Sequence, residues 1–271
     1  MTRQRSLAAL LLGAACSSPP PTAPNWVDGV ASADVPPALQ SRLRASISSD
    51  VLELAGRGRG GLAVVGSDRA RLVLDHPVGG TAMAVSMGPD GLAVTIPARR
   101  THLVSPAASR ALGAVSGGLA GSDTIVAVLA GRLPLAVSSS RRWQAAPGGG
   151  RVRLEGPRGL VVDALLDEGC RCPVQTVLRD AQHSVLLTAS YRDWSEGDAG
   201  LRPGGSTLEI PALDLGIDLD FDRWSAEAPA APIDLTAPEG FDRQPLQPAL
   251  DRLGEQALRA AMRAGADRPR R

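Results

Sequence analysis

Hydrophobic and polar residues alternate with a period of two through the first third of the chain. Five strands are predicted there, over residues 51–57, 60–65, 70–75, 81–87 and 92–97. The segments Gly66-Ser67-Asp68 and Gly88-Pro89-Asp90-Gly91 separate two pairs of these strands and are typical of hairpin turns. We therefore expect an antiparallel sheet with one apolar face.

The same alternation returns in the second half of the chain. Strands are predicted over 151–155, 160–166, 174–180, 184–191, 207–210 and 213–221. In the last of these, five apolar residues alternate with Asp214, Gly216, Asp218, Asp220 and Asp222. This pattern predicts a strand with an apolar face and an acidic, solvated face. The acidic row could alternatively bind a cation weakly.

Four segments have the spacing of amphipathic helices or the composition of short helices. In residues 35–49, Leu39, Leu43 and Ile47 recur at spacing four after Pro36-Pro37, which predicts one amphipathic helix. The other three predicted helices cover residues 105–115, 124–131 and 247–264. Two short helices are therefore expected to interrupt a chain of strands, and a third to follow it.

The N-terminus has the features of an export signal. Arg3 and Arg5 precede an apolar run, 6–15, that is too short to span a bilayer and ends in small residues before Cys16. This arrangement resembles the lipobox of a bacterial lipoprotein, in which the cysteine is acylated and becomes the first mature residue. A plain secretory signal or a short membrane anchor is the alternative. We expect lipidation of Cys16.

Composition and charge exclude some classes of function. The chain of 271 residues is 44% hydrophobic and 21% charged, which is typical of a globular protein. Its net charge of +1 argues against a nucleic-acid partner. Because aromatic residues make up only 3% of the chain, any core or cavity must be aliphatic.

The chain divides into four segments. Residues 1–15 are the lipoprotein signal peptide, and 16–34 form a lipidated flexible tether that contains the proline-rich run 17–24. Residues 35–240 hold the strands, and 241–271 a C-terminal amphipathic helix with an arginine-rich tail.

Other motifs carry little chemistry. A disulfide between Cys170 and Cys172 is possible in a turn, and a metal site is not expected because the three histidines are scattered. The G-x-G-x-x-G spacing at 56–61 is followed by a strand pattern and not by the helix that a nucleotide fold needs. Ser116 lacks the preceding strand of a nucleophile elbow. We expect no enzymatic activity and no cofactor.

Several local segments, in this order, resemble the LolA/LolB family of lipoprotein carriers and acceptors. Residues 69–81 (RARLVLDHPVGGT) are similar to the family's strand and Asn-Pro-Leu-Gly turn, and 125–134 (IVAVLAGRLP) to its short helix ending in Leu-x-Gly-Leu-Pro. The segments 191–194, 208–211 and 220–224 are similar to its late strands. The likeness covers residues 35–240 and is closest to the lipid-anchored LolB-type acceptor.

The resemblance implies a fold and a ligand. The fold is mainly β: a curved, incomplete antiparallel barrel closed by short α-helices, with an apolar inner face that holds acyl chains. The residues expected to line this cavity are Leu72, Leu74, Met83, Val85, Met87, Leu92, Val94, Ile96, Leu160, Val162, Leu187, Leu215, Ile217 and Leu219. Alternatively, these side chains fill a core against the helices.

The resemblance also implies a location and partners. Pro77, Val78 and Gly79 occupy the place of the turn that the acceptor inserts into the membrane, with valine where that branch has leucine. We expect a monomer in the outer membrane, facing the periplasm, that binds acyl chains of lipoproteins or other lipids and is supplied by a periplasmic LolA-like carrier. The alternative function is a structural or assembly lipoprotein that uses the same fold to dock another protein.

Overall fold

The computed structural model shows a chain built mainly of β-strands. The residues it describes are 23–32, 37–49, 54–105, 121–134, 140–156, 159–246 and 248. The predicted signal peptide, Cys16, the segment 106–115 with the helix expected there, Ser116 and nearly all of the predicted C-terminal helix lie outside these residues.

Sixteen strands are present in the described part of the chain. The first six are β1 (Ala38–Ser49), β2 (Leu54–Val65), β3 (Arg69–Asp75), β4 (Thr81–Gly88), β5 (Gly91–Ile96) and β6 (Thr101–Ser105). The next five are β7 (Ser140–Ala146), β8 (Gly149–Glu155), β9 (Val161–Asp167), β10 (Cys172–Arg179) and β11 (Val185–Arg192). The last five are β12 (Ser195–Gly197), β13 (Gly200–Arg202), β14 (Gly205–Ile210), β15 (Leu215–Ser225) and β16 (Asp242–Pro245).

Fourteen of these strands form one sheet, in the order β16-β6-β5-β4-β3-β2-β1-β15-β14-β11-β10-β9-β8-β7. All neighbours are antiparallel except β16 and β6, which are parallel. The two halves of the chain join at the pairing of β1 with β15. Because β7 and β16 end the sheet, it is not closed, which is compatible with the expected incomplete barrel. The hairpin β12–β13 stands apart as a second, two-stranded sheet.

Two α-helices are present among the described residues. Helix α1 (Asn25–Ser32) buries Val27 and packs Trp26 edge-on against Trp143 of β7. It lies within 16–34, the segment expected to be a flexible tether, so that residues 25–32 are helical. Helix α2 (Ser122–Leu129) corresponds to the helix predicted over 124–131.

Helix α2 ends in the hydrogen-bond pattern of a Schellman motif. Gly131 has a positive φ of 68° and donates to Val128 O, while the Arg132 N–H donates to Ala127 O. Glycine is favoured at this position because a Cβ would strain the left-handed backbone. The sequence Gly131-Arg132-Leu133-Pro134 therefore ends the helix where the pattern predicted.

The predicted helix over 35–49 is wrong, because this segment is strand β1. A spacing of four residues places side chains on one face of a helix, but it is also two repeats of the strand period. Leu39, Leu43 and Ile47 therefore lie on one face of β1, while Arg42 and Arg44 lie on the other. Pairing with β2 on one side and β15 on the other decides between the two conformations, and local spacing does not contain that information.

The segments predicted as two strands, 51–57 and 60–65, form the single long strand β2, since its glycine-rich middle continues the pairing with β1. Gly60 is required by close packing, because a Cβ there would lie 1.9 Å from Val73 O. The G-x-G-x-x-G spacing is thus part of a strand, as expected. The turns at 66–68 and 88–91 also connect hairpins as predicted. The alternation did not identify β6, β7, β12, β13 or β16.

Candidate functional site: an apolar mouth on the inner face

The register of the sheet brings all the predicted cavity residues onto one face. Leu72 is opposite Val85, which is opposite Val94. In the other half, Leu178 is opposite both Leu187 and Val162. Because facing residues in an antiparallel pair project to the same side, one continuous apolar surface runs across the sheet. We call this the inner face and its reverse the outer face.

The predicted cavity residues differ in their exposure. Those that are buried and belong to the core are Met87, Leu160, Val162, Leu187 and Leu219. Those that are only half-buried are Leu72, Leu74, Met83, Val85, Leu92, Val94, Ile96, Leu215 and Ile217. The first set packs the protein interior, and the second keeps apolar surface accessible.

This exposure changes in one direction along the strands. On β15, Phe221 and Leu219 are 7% and 1% exposed, whereas Ile217 and Leu215 are half-buried. On the neighbouring β1, Leu43 is buried and Ile47 is half-buried. The strands β3, β4 and β14 follow the same trend. One end of the inner face is therefore packed, and the end nearest the connection 76–80 is partly open.

Helix α2 accounts for the packed end. It contacts β3 and β4, and the hydroxyl of Tyr191 on β11 donates a hydrogen bond of 2.9 Å to Val128 O. Burial raises the pKa of Tyr191, so this hydroxyl keeps its proton and remains a donor. The helix is thereby fixed over the closed end of the sheet.

The half-buried apolar residues from the middle of the sheet to the other end form a patch that we call the apolar mouth. Its members are Ile47, Leu72, Leu74, Met83, Val85, Val94, Ile96, Ile210, Leu215 and Ile217. All are aliphatic side chains or methionine, in keeping with the small aromatic content. Sequence reasoning missed Ile47 and Ile210. Ile47 had the right spacing for an inward strand position but was assigned to a helix.

The connection 76–80 projects a single apolar side chain beside the mouth. Val78 is 87% exposed, against 38% for Leu165 and 36% for Val174, the other large apolar residues exposed in the described part of the chain. The turn is held by hydrogen bonds from His76 N to Gly80 O and from Gly79 N to His76 O. Val78 is therefore presented to solvent on a fixed turn. This is the turn for which sequence resemblance predicted membrane insertion.

Arginines lie on the outer face next to this turn. Arg44 on β1 is directly opposite Arg59 on β2, and Arg57 lies two residues away on the same face. A recess of about 690 Å³ is lined by these three arginines together with His76 and Pro77. Like charges directly opposite each other destabilise a sheet. None of the three arginines forms an ion pair within the described part of the chain. We call Arg44, Arg57 and Arg59 the arginine cluster.

The acidic row of β15 is engaged by an arginine on its outer face. Asp218 accepts a hydrogen bond of 2.9 Å from Arg192 Nη1, and Asp220 pairs with Arg192 Nη2. Burial alone would lower the pKa of Arg192, but its hydrogen bonds with these carboxylates raise it. Among the described residues, no group of histidine, cysteine and acidic side chains is arranged to hold a metal ion.

The two downstream cysteines form a disulfide. The Cα atoms of Cys170 and Cys172 lie 5.2 Å apart, within the range that a bridge needs. Arg171 between them has a φ of 52°, and this left-handed turn brings the two sulfurs together. On a regular strand the same residues would be too far apart, so the turn decides the pairing.

No protein-family model matches the chain, and no curated protein sequence matches it either. Two solved structures are similar to it in fold. A domain from Vibrio parahaemolyticus, assigned to outer membrane lipoprotein sorting, aligns over 74% of this chain and 90% of its own, with a TM-score of 0.52 and 13% identity. A LolA superfamily protein from Nitrosomonas europaea aligns over 76% of this chain and 93% of its own, with a TM-score of 0.51 and 12% identity.

These similarities define the fold of the protein as LolA/LolB-like, as the sequence resemblance predicted. The sheet, open at its edges with short helices over one end, agrees with that assignment. None of the helices in the described segments is long and apolar enough to cross a membrane.

Proposed function

We propose that the protein is a lipid-anchored, periplasm-facing protein of the outer membrane that binds acyl chains non-covalently at the apolar mouth. It receives lipoproteins from a LolA-like carrier or inserts them into the membrane. The observation that carries this proposal is the change from buried to half-buried apolar residues along the inner face. A sheet that only packed a core would bury both ends to the same degree.

The chemistry of the mouth supports an acyl chain as its ligand. Each methylene group transferred from water contributes about 0.8 kcal/mol, so covering four of them contributes about 3 kcal/mol. The mouth residues offer no polar side chain that a hydrocarbon would leave without a partner. Binding of this kind needs no catalytic group and no cofactor, and we propose that the protein is not an enzyme.

The turn and the arginine cluster support a membrane-facing role for the same end. Val78 offers apolar surface to the acyl region, and Arg44, Arg57 and Arg59 offer positive charge to phosphate head groups. A ligand leaving the mouth beside this turn would then enter the bilayer directly. A LolB-type acceptor requires such an arrangement.

Displacement of a fluorescent fatty acid tests acyl-chain binding. A chain starting at Asn25 is expected to bind the probe saturably and to release it to palmitate in competition. Circular dichroism before the titration establishes that the sample is folded. A folded sample without saturable binding would rule out the carrier function. It would favour the alternative, a docking platform with a filled core, which the buried side chains Val162, Leu187 and Leu219 support.

The variant Val78→Glu tests the membrane-facing turn. Losing the valine side chain and adding a negative charge is expected to reduce binding to anionic vesicles about tenfold, which corresponds to about 1.4 kcal/mol. Co-sedimentation with vesicles measures the effect. Ser67→Glu is the matched control, because it adds the same charge to an exposed turn at the opposite end of β2 and β3. Equal binding by the two variants would contradict an insertion role for Val78.

A further inference from the structure

A second, polar cavity lies at the closed end of the molecule. It has a volume of about 280 Å³ and lies between the end of helix α2, the disulfide turn and the hairpin β12–β13. Its polar lining includes Arg132, Trp194 and Arg202. The apolar mouth is at the opposite end of the strands, so this cavity is a separate site.

Two of the lining residues are buried arginines. Arg132 and Arg202 are each only 7% exposed. Burial, with the positive charge of Arg132 as a second cause, lowers the pKa of Arg202 to about 10. Arg202 therefore remains a cation at neutral pH. A buried cation is costly unless a negative group compensates it.

The described residues supply no carboxylate to Arg202. The acidic residue that lines the cavity is Asp198, which accepts a hydrogen bond of 3.0 Å from Arg223 and has a 79% exposed side chain. The contact recorded for the Arg202 side chain is neutral, a hydrogen bond of 2.7 Å from Nη1 to Leu201 O. The charge of Arg202 is therefore not balanced within the described part of the chain.

Two buried N–H groups at the cavity also lack an acceptor. Both Nε of Arg202 and Nε1 of Trp194 are inaccessible to solvent and have no hydrogen-bond partner in the described structure. Buried donors are nearly always satisfied, so an unsatisfied pair at one cavity indicates a missing acceptor. The cavity thus combines excess positive charge with unused donors, which is the recognition chemistry of an oxyanion.

We propose that this cavity binds an oxyanion, either a carboxylate or a phosphate group, through the Nε–H of Arg202 and the Nε1–H of Trp194. The volume admits such a group with a small organic remainder. Arg132, which follows the C-terminal end of α2, adds to the positive potential. This site does not depend on the proposed acyl-chain function.

Thermal unfolding of the full chain in detergent tests the proposal. Sodium phosphate, sodium acetate and sodium chloride are compared at equal ionic strength in a zwitterionic buffer. The oxyanion is expected to raise the Tm by about 5 °C at a hundredfold excess over its Kd, with chloride as the baseline. A rise with phosphate alone identifies a phosphate site, and a rise with acetate alone a carboxylate site. Equal effects of all three salts would overturn the proposal.

The variant Arg202→Met separates binding from a general salt effect. It is expected to lose the oxyanion-specific rise in Tm, whereas the control Arg69→Met, at an exposed position, keeps it. An undiminished rise in Arg202→Met would overturn the proposal. Should Arg202→Met fail to fold, Trp194→Phe removes one donor and keeps the aromatic packing. That variant is expected to need at least threefold more oxyanion for the same rise, and an unchanged requirement would overturn the assignment.

Discussion

The variant Met83→Glu is expected to weaken fatty-acid binding by about 30- to 100-fold, which corresponds to about 2–3 kcal/mol. Met83 is half-buried in the apolar mouth and is directly opposite Leu74 on β3. A carboxylate there must either be desolvated by the bound chain or keep water where three or four methylene groups would lie. Either result removes most of the apolar contact at the centre of the mouth.

The measurement is the fluorescent fatty-acid displacement described above, with Gln175→Glu as the control. Gln175 is exposed on the outer face of β10, so this variant adds a similar charge away from the mouth. We expect its binding to match that of the unchanged protein. Because Met83 is half-buried, its substitution should leave the unfolding transition nearly unchanged. Unaltered binding by a folded Met83→Glu protein would show that the ligand, if one binds, lies elsewhere.

The second large effect is expected from Cys16→Ala, which should abolish incorporation of radioactive palmitate and release the protein from the membrane fraction. The thiol is the attachment point of the lipid in the lipobox interpretation, and stable anchoring needs more than one acyl chain. Labelling is followed in cells and distribution by fractionation. The double variant Cys170→Ala, Cys172→Ala is the control and should still be labelled. Continued labelling of Cys16→Ala would contradict lipidation at this residue.

Some errors and successes of the sequence analysis have a common cause. The alternation on β3, β4, β5 and β15 correctly predicted which residues share the inner face, since alternation is a local property of a strand. The helix predicted over 35–49 failed because a spacing of four residues fits both periods. Only the pairing of β1 with β2 and β15, which are distant along the chain in the second case, distinguishes the two.

The candidate oxyanion site was not predicted at all, for a similar reason. Arg132 and Arg202 are seventy residues apart and carry no motif that links them. One follows a helix and the other ends a short strand, and the packing of α2 against the sheet places both at one cavity. The disulfide is intermediate, since its two cysteines were noticed but the turn at Arg171 that joins them was not.

The sequence by itself determined the period of the strands, two of their turns, the apolar face of the sheet and the resemblance that predicted a LolA/LolB-like fold. These features depend on neighbouring residues, whose spacing and chemistry are visible in the chain. Only the tertiary structure decided that β1 is a strand and that Leu219 is buried while Ile217 is half-exposed. It alone placed Arg44 opposite Arg59, because exposure and charge contacts depend on which distant segments pack together.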